Sequence, residues 1–258
     1  MTKSIFTTNP NSTYNNAYLN WWFDNRKEPR DIQIAWDFLN LGKAYYGNAL
    51  TSLGLIIDSK NKCNIADKLI FPILFDFWHG TELLLKSGLF LINQELKSNY
   101  QFSKLSHKNL QLYNELKSKL NKIGFAGNEL LSLENLLKDF ESHNASETFM
   151  RYTVDNKFND QFYVEVTPEG ENICINLNEF ISQLFNVVEE FPLLIEFLGC
   201  PYFEDCFIPG QLNKQNYNQY KKMREEINEK FQDVGLKDFT EELDITNNLL
   251  NWVYMQLL

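Results

Sequence analysis

The chain has 258 residues, 44% of them hydrophobic and 15% aromatic, which is enough to bury a sizeable core and excludes a disordered protein. Eleven Gly and seven Pro are too few for the many turns of an all-β sandwich. A formal charge of −10 makes the overall field repel nucleic acid and anionic membranes, so any nucleic-acid contact needs a local basic patch.

Residues 1–13 are polar and rich in Asn and Thr, which predicts a frayed arm, and no apolar leader region is visible there. A short aromatic segment follows from Tyr14 to Phe23 and ends near Pro29. Over 30–57, the spacing of Ile34, Phe38, Leu41, Tyr45, Leu53 and Ile56 predicts a long amphipathic helix, loosened at Gly42 or Gly47. The polar turn DSKNKCN leads into the segment Ala66–Leu96, which is apolar on almost every side. Pro72 marks its start or a kink. A helix hydrophobic all round lies in the middle of its domain or spans a membrane.

Four polar side chains interrupt that segment: Asp76, His79, Glu82 and Lys86, which share one helical face. Each is costly in lipid, so the segment reads as a core helix. A cytoplasmic protein with no membrane partner is therefore expected.

Beyond a linker, Ser106 reads as the N-cap of a helix closed by Gly124, and 127–142 as another amphipathic helix. QFYVEV and NICINL alternate around TPEGE, which predicts one small β-hairpin over 161–176. NEFISQLFNVVEEFPLLIEFLG predicts a helix with a break near Pro192. A charged helix over 213–232 and an apolar C-terminal helix complete the chain. The expected fold is mainly α, a helical bundle around the central helix (66–96), with a bundle domain over 14–195 and a helical extension over 196–258.

The polar face has two readings. A His, a carboxylate and a Lys are the side-chain types that metal-free RNA cleavage requires: a base at the 2′-hydroxyl, an acid at the leaving oxygen and a cation for the phosphate. The same residues also read as an intrahelical Glu82–Lys86 pair beside a satisfied core histidine. His107, just after Ser106, either reaches across to the central helix or stands on the surface. His143 is expected to be exposed. Arg151 beside Tyr152 suits anion recognition or a pair with Glu82 or Asp139. The lysines of 97–122 (Lys97, Lys104, Lys108, Lys117, Lys119, Lys122) either track a phosphate backbone or form a solvated helix face. The four cysteines show no CxxC pair, and His79, Glu82 and His107 have little of the spacing of a metal site. Neither a metal nor another cofactor is expected.

The segment FPILFDFWHGTELLLK, Phe71 to Lys86, resembles the core helix of the HEPN superfamily (higher eukaryotes and prokaryotes nucleotide-binding), with its FP-x-x-F-x-x-x-H-x-x-E-L-x-x-K pattern. SHKNLQLYNEL with His107, DFESHNASETFMRYTVD with Arg151 and Tyr152, and CINLNEF are similar to further elements of such proteins, in the same order over about 30–190. The resemblance implies an all-α bundle, often a homodimer, in toxin–antitoxin and antiviral defence systems, with a partner protein from the same operon. Many such proteins cut RNA without a metal or bind a nucleotide. On the side-chain types alone, His79, Glu82 and His107 are the candidate catalytic residues here and Lys86, Arg151 and Tyr152 the candidates for holding phosphate. The chain departs from the family in one respect: no Arg is followed by a His in the Arg-x(4–6)-His spacing of catalytic members. A non-catalytic interaction or sensor module is the alternative.

Overall fold

A computed structural model describes residues 30–96, 105–125, 130–142, 175–200 and 212–235. These form six α-helices: α1 (Arg30–Asp58), α2 (Ile65–Glu95), α3 (Asn109–Lys122), α4 (Leu131–Ser142), α5 (Leu177–Gly199) and α6 (Lys214–Gly235). A single 3-10 turn (Lys62–Asn64) separates α1 from α2. The mainly α character expected from the sequence is what the described residues show. The hairpin expected over 161–176 lies outside them except for Ile175 and Asn176, which are not in a strand. The aromatic segment at 14–23 and the apolar C-terminal segment also lie outside.

α2 is the central element, packed against α1, α3 and α5. Contact on three sides explains its all-round apolarity: Ile73, Phe77, Leu84, Leu85, Leu89, Phe90, Leu91 and Ile92 are all buried. Pro72 stands inside this helix, two turns after its start, rather than at its first turn. α5 touches α2, α1, α4 and α6 and forms the second layer of the core. It runs unbroken through Pro192 and through residues 195 and 196. The expected break is absent, and Phe191, Pro192, Leu194 and Ile195 are buried on both sides of the imino acid.

α1 lies antiparallel to α2, as the facing pairs Ala35–Ser87, Gly42–Gly80 and Asn48–Asp76 show. Its buried stripe is Ile32, Ala35, Leu39, Tyr46, Ala49, Leu50, Leu53 and Ile56. The bulkier stripe picked out by hydrophobic spacing lies partly off this face, and Leu41 is exposed. Small residues decide the contact. Gly42 does not loosen the helix. It lets the two backbones touch, because a Cβ there would stand 3.0 Å from the Gly80 carbonyl oxygen and 2.8 Å from Leu84 Cγ.

α3 runs in the same direction as α2: its start meets Trp78, its middle meets Gly88 and its end meets Asn93. It closes at Gly124, whose φ of +88° suits a residue without a Cβ. The Phe125 amide returns to the Leu120 carbonyl and the Gly124 amide to Asn121, a Schellman ending. α5 opens on Asn176, whose side chain accepts the Glu179 amide, so the predicted helix start at the NL pair of CINLNEF is present.

Candidate functional site

The site begins with the periodicity of α2. Residues at i, i+3 and i+7 share a face, so His79, Glu82 and Lys86 rise along one line. The parallel approach of α3 adds a fourth member from 25 residues away in sequence. His107 Nδ1 lies 2.9 Å from Glu82 Oε1. Lys86 Nζ lies 2.5 Å from the same oxygen and 3.4 Å from His107 Nδ1. His79 Nδ1 is 3.9 Å from the other carboxylate oxygen, Oε2. One carboxylate thus stands among three nitrogen bases.

Burial divides this cluster in two. The Glu82 side chain is 4% exposed and that of Lys86 11%, whereas that of His107 is 76% exposed. The charge pair is sealed, and the imidazole bonded to it faces solvent. A carboxylate can only accept, so His107 Nδ1 can bond to it only as the donor. The Lys86 ammonium, 3.4 Å from the same nitrogen, could meet it only as an acceptor, and the shorter contact favours the Nδ1–H tautomer. This is the arrangement by which a carboxylate orients a histidine for proton transfer.

His79 is held by rings. Phe75 stacks on it at 5.6 Å between centroids, and Tyr45 of α1 meets it edge-on at 4.8 Å. Its Nδ1 is buried and makes no hydrogen bond among the described residues. Asp76 shares the face but serves a different contact, accepting from the Asn48 amide across the α1–α2 seam. Burial raises its carboxyl above the usual range, against the lowering effects of Asn48 and His79.

Of the expected site residues, the structure brings together His79, Glu82, Lys86 and His107. Arg151, Tyr152 and His143 lie outside the described residues. Ser106 does not cap α3 in the expected way: Lys108 occupies the N-cap with no side-chain bond, while the Ser106 hydroxyl accepts the Lys108 amide and donates to Gln111. In the basic stretch, Lys117 is committed to Glu134 at 2.6 Å, and Lys119 to Asn93 at 2.7 Å and Glu115 at 3.9 Å. Among the described residues, no group of His, Cys, Asp and Glu is arranged to hold a metal ion.

Two buried polar features escape a reading of the sequence. Glu196 of α5 accepts from Lys43 of α1 at 2.5 Å and from Tyr220 of α6 at 3.3 Å, with Arg224 at 3.5 Å. The lone acid in the apolar run FPLLIEFLG is the signal that marks it. Asn109, the first residue of α3, is fully buried and donates to the Trp78 carbonyl at 2.8 Å. An Asn at a helix start reads as an ordinary terminal residue, so nothing in the sequence distinguishes it.

No protein-family model matches the chain, and no solved structure matches it. The chain is 24% identical, over 267 aligned positions and 96% of its length, to a protein of Bigelowiella natans named uncharacterized membrane protein ycf78. It spans 26% of that relative's length. This finding corrects two expectations, a cytoplasmic location and the absence of a membrane partner, since the relative is named a membrane protein. Among the described residues, no helix is long and apolar enough to cross a membrane. In α2 the ionisable face from Asp76 to Lys86 interrupts the apolar run.

Proposed function

We propose that the chain is a HEPN-like helical bundle that acts on RNA, or holds a nucleotide, at the face where Glu82 meets Lys86 and His107. The observation that carries this reading is the 2.9 Å bond from an exposed imidazole to a buried carboxylate. Donation from Nδ1 to that carboxylate would present His107 Nε2 as the base of a largely exposed imidazole. In the enzymatic form, that nitrogen takes the proton of a ribose 2′-hydroxyl. The O2′–P bond then forms as the P–O5′ bond breaks. The leaving oxygen takes its proton from His79, and Arg151 and Tyr152 are assigned to the phosphate, a role open to Lys86 only if it leaves its bond to Glu82. No metal takes part in this scheme. The defence setting, the homodimer and the operon partner belong to the same proposal.

The test is incubation of labelled RNA with purified protein in a chelator. Cleavage is expected, falling about 10²–10⁴-fold in His107→Ala. Cleavage unchanged by His79→Ala removes the role given to that residue. Failure to cleave RNA and to bind either RNA or a mononucleotide overturns the proposal.

A second reading, a non-catalytic interaction or sensor module of a defence system, draws on the sealed Glu82–Lys86 pair and the missing Arg-x(4–6)-His spacing. RNA or nucleotide binding without turnover, unaffected by His107→Ala, favours it.

A further inference from the structure

We infer that Asn109 is a positioning residue, holding His107 on Glu82 by anchoring the start of α3 to α2. The inference rests on the reading of His107 as the working imidazole of the proposed site.

His107 does little to hold itself in place. Its side chain is mostly in solvent, and an exposed side chain keeps a single geometry only when its backbone is fixed. The nearest fixed point is two residues on. Asn109 has no exposed surface, and its Nδ2 donates to the Trp78 carbonyl across 31 residues of sequence. In an α-helix that same carbonyl also accepts the amide four residues on, which is that of Glu82. Asn109 therefore fastens α3 to the peptide group bonded to the Glu82 backbone. His107 and Glu82 then lie on the two strands of chain leading away from one anchor point.

The chemistry of Asn109 is poorly suited to a purely stabilising role. Its Oδ1 is buried with no hydrogen-bond partner among the described residues. A buried, unsatisfied acceptor weakens a fold, and an apolar side chain of equal size avoids that loss. The Trp78 carbonyl keeps its helical partner when Asn109 is removed, so neither helix is left with a new unpaired group. What an apolar side chain cannot supply is direction: a donor aimed at one carbonyl fixes the register of α3 along α2, and slippery packing does not.

Long-range ¹⁵N spectra of the His107 imidazole test this directly, without RNA. In the native protein His107 is expected in the Nδ1–H tautomer, and Glu82→Gln should weaken that preference. Asn109→Leu is expected to fold, to melt at the same or a higher temperature, and to shift His107 to the Nε2–H form. Asn109→Ala, which cannot overpack the site, is expected to shift it in the same way. Where RNA is cleaved, either variant should lower the rate about a hundredfold, the cost of an ångström-scale misplacement, and the loss should lie in kcat more than in KM.

The inference is overturned if His107 in the native protein is in the Nε2–H form, or if both variants fold and keep the Nδ1–H signal. It is also overturned if both variants unfold, since Asn109 would then be a stability residue. An expected tautomer shift in a protein that neither binds nor cuts RNA leaves this inference standing and removes the proposed function. RNA cleavage that depends on His107 but is indifferent to Asn109 does the reverse.

Discussion

His107, two residues before α3, and Glu82 of α2 are joined by a 2.9 Å bond that crosses from solvent to the interior of the bundle. The two ends of that bond should respond very differently to substitution. Lys86→Met leaves the sealed carboxylate without its ammonium partner, and breaking a buried pair costs about 3–5 kcal/mol. His107→Ala removes an exposed partner and should cost about 1 kcal/mol or less. Urea unfolding of the two variants checks the contrast; equal losses would mean that Glu82 is open to water.

The α1–α2 seam offers a steric test. Gly42→Ala places a methyl group 2.8 Å from Leu84 Cγ and 3.0 Å from the Gly80 carbonyl oxygen. The side chain can shift, but the carbonyl belongs to a helix and cannot. Ala in place of Gly improves helix propensity by about 1 kcal/mol, while overpacking costs about 1–3 kcal/mol. The clash should win, giving a net loss on the order of 1 kcal/mol in thermal or chemical unfolding.

Two carboxylates should respond to pH in opposite directions. Glu134 is held down to about 2 from an ordinary 4.5, chiefly by the hydrogen bond from Lys117, then by those from Lys138 and Tyr113. Its folded value lies below its unfolded value, so its stabilising contribution is present above pH 4.5 and is lost as pH falls towards 2. Glu134→Gln should therefore flatten the acid limb of a melting-temperature profile in that window. Burial raises Asp76, so its contribution has the reverse sign: full below the unfolded value of 3.8 and lost as pH rises through the raised folded value. Asp76→Asn should raise the melting temperature at neutral pH, with the gain vanishing in acid.

The Glu196 cluster ties α1, α5 and α6 together. Glu196→Leu strands the half-buried Lys43 ammonium and should cost about 3–5 kcal/mol, whereas the double change Lys43→Met with Glu196→Leu should be close to neutral. A double-mutant cycle in urea measures the difference. A double variant as unstable as Glu196→Leu alone would show that Lys43 is not the partner that matters.

The central helix and its ionisable face are legible in the sequence because both follow from periodicity. All-round apolarity between Ala66 and Leu96 can be satisfied only by neighbours on every side, and His79, Glu82 and Lys86 fall into line through the helical repeat. His107 is legible as a residue able to reach that line, although the parallel course of α3 that brings it there has no local signature. The contact face of α1 is harder to read, because Ala35, Gly42 and Ala49 carry little hydrophobic weight and yet set how closely the helices approach. Pro192 misleads because a proline lowers helix propensity locally, while packing on both sides of it keeps α5 continuous. Asn109 and Glu196 are hidden because their roles arise from partners 31 and 153 residues away.

The sharing of one carboxylate among several bases has an electrostatic consequence. Glu82 carries a single negative charge, and Lys86 already balances it. The pair therefore adds nothing to the field of a molecule whose net charge is −10. That one point is spared the sign of the whole, so a polyanion approaching there meets less repulsion than elsewhere, a difference most visible at low ionic strength.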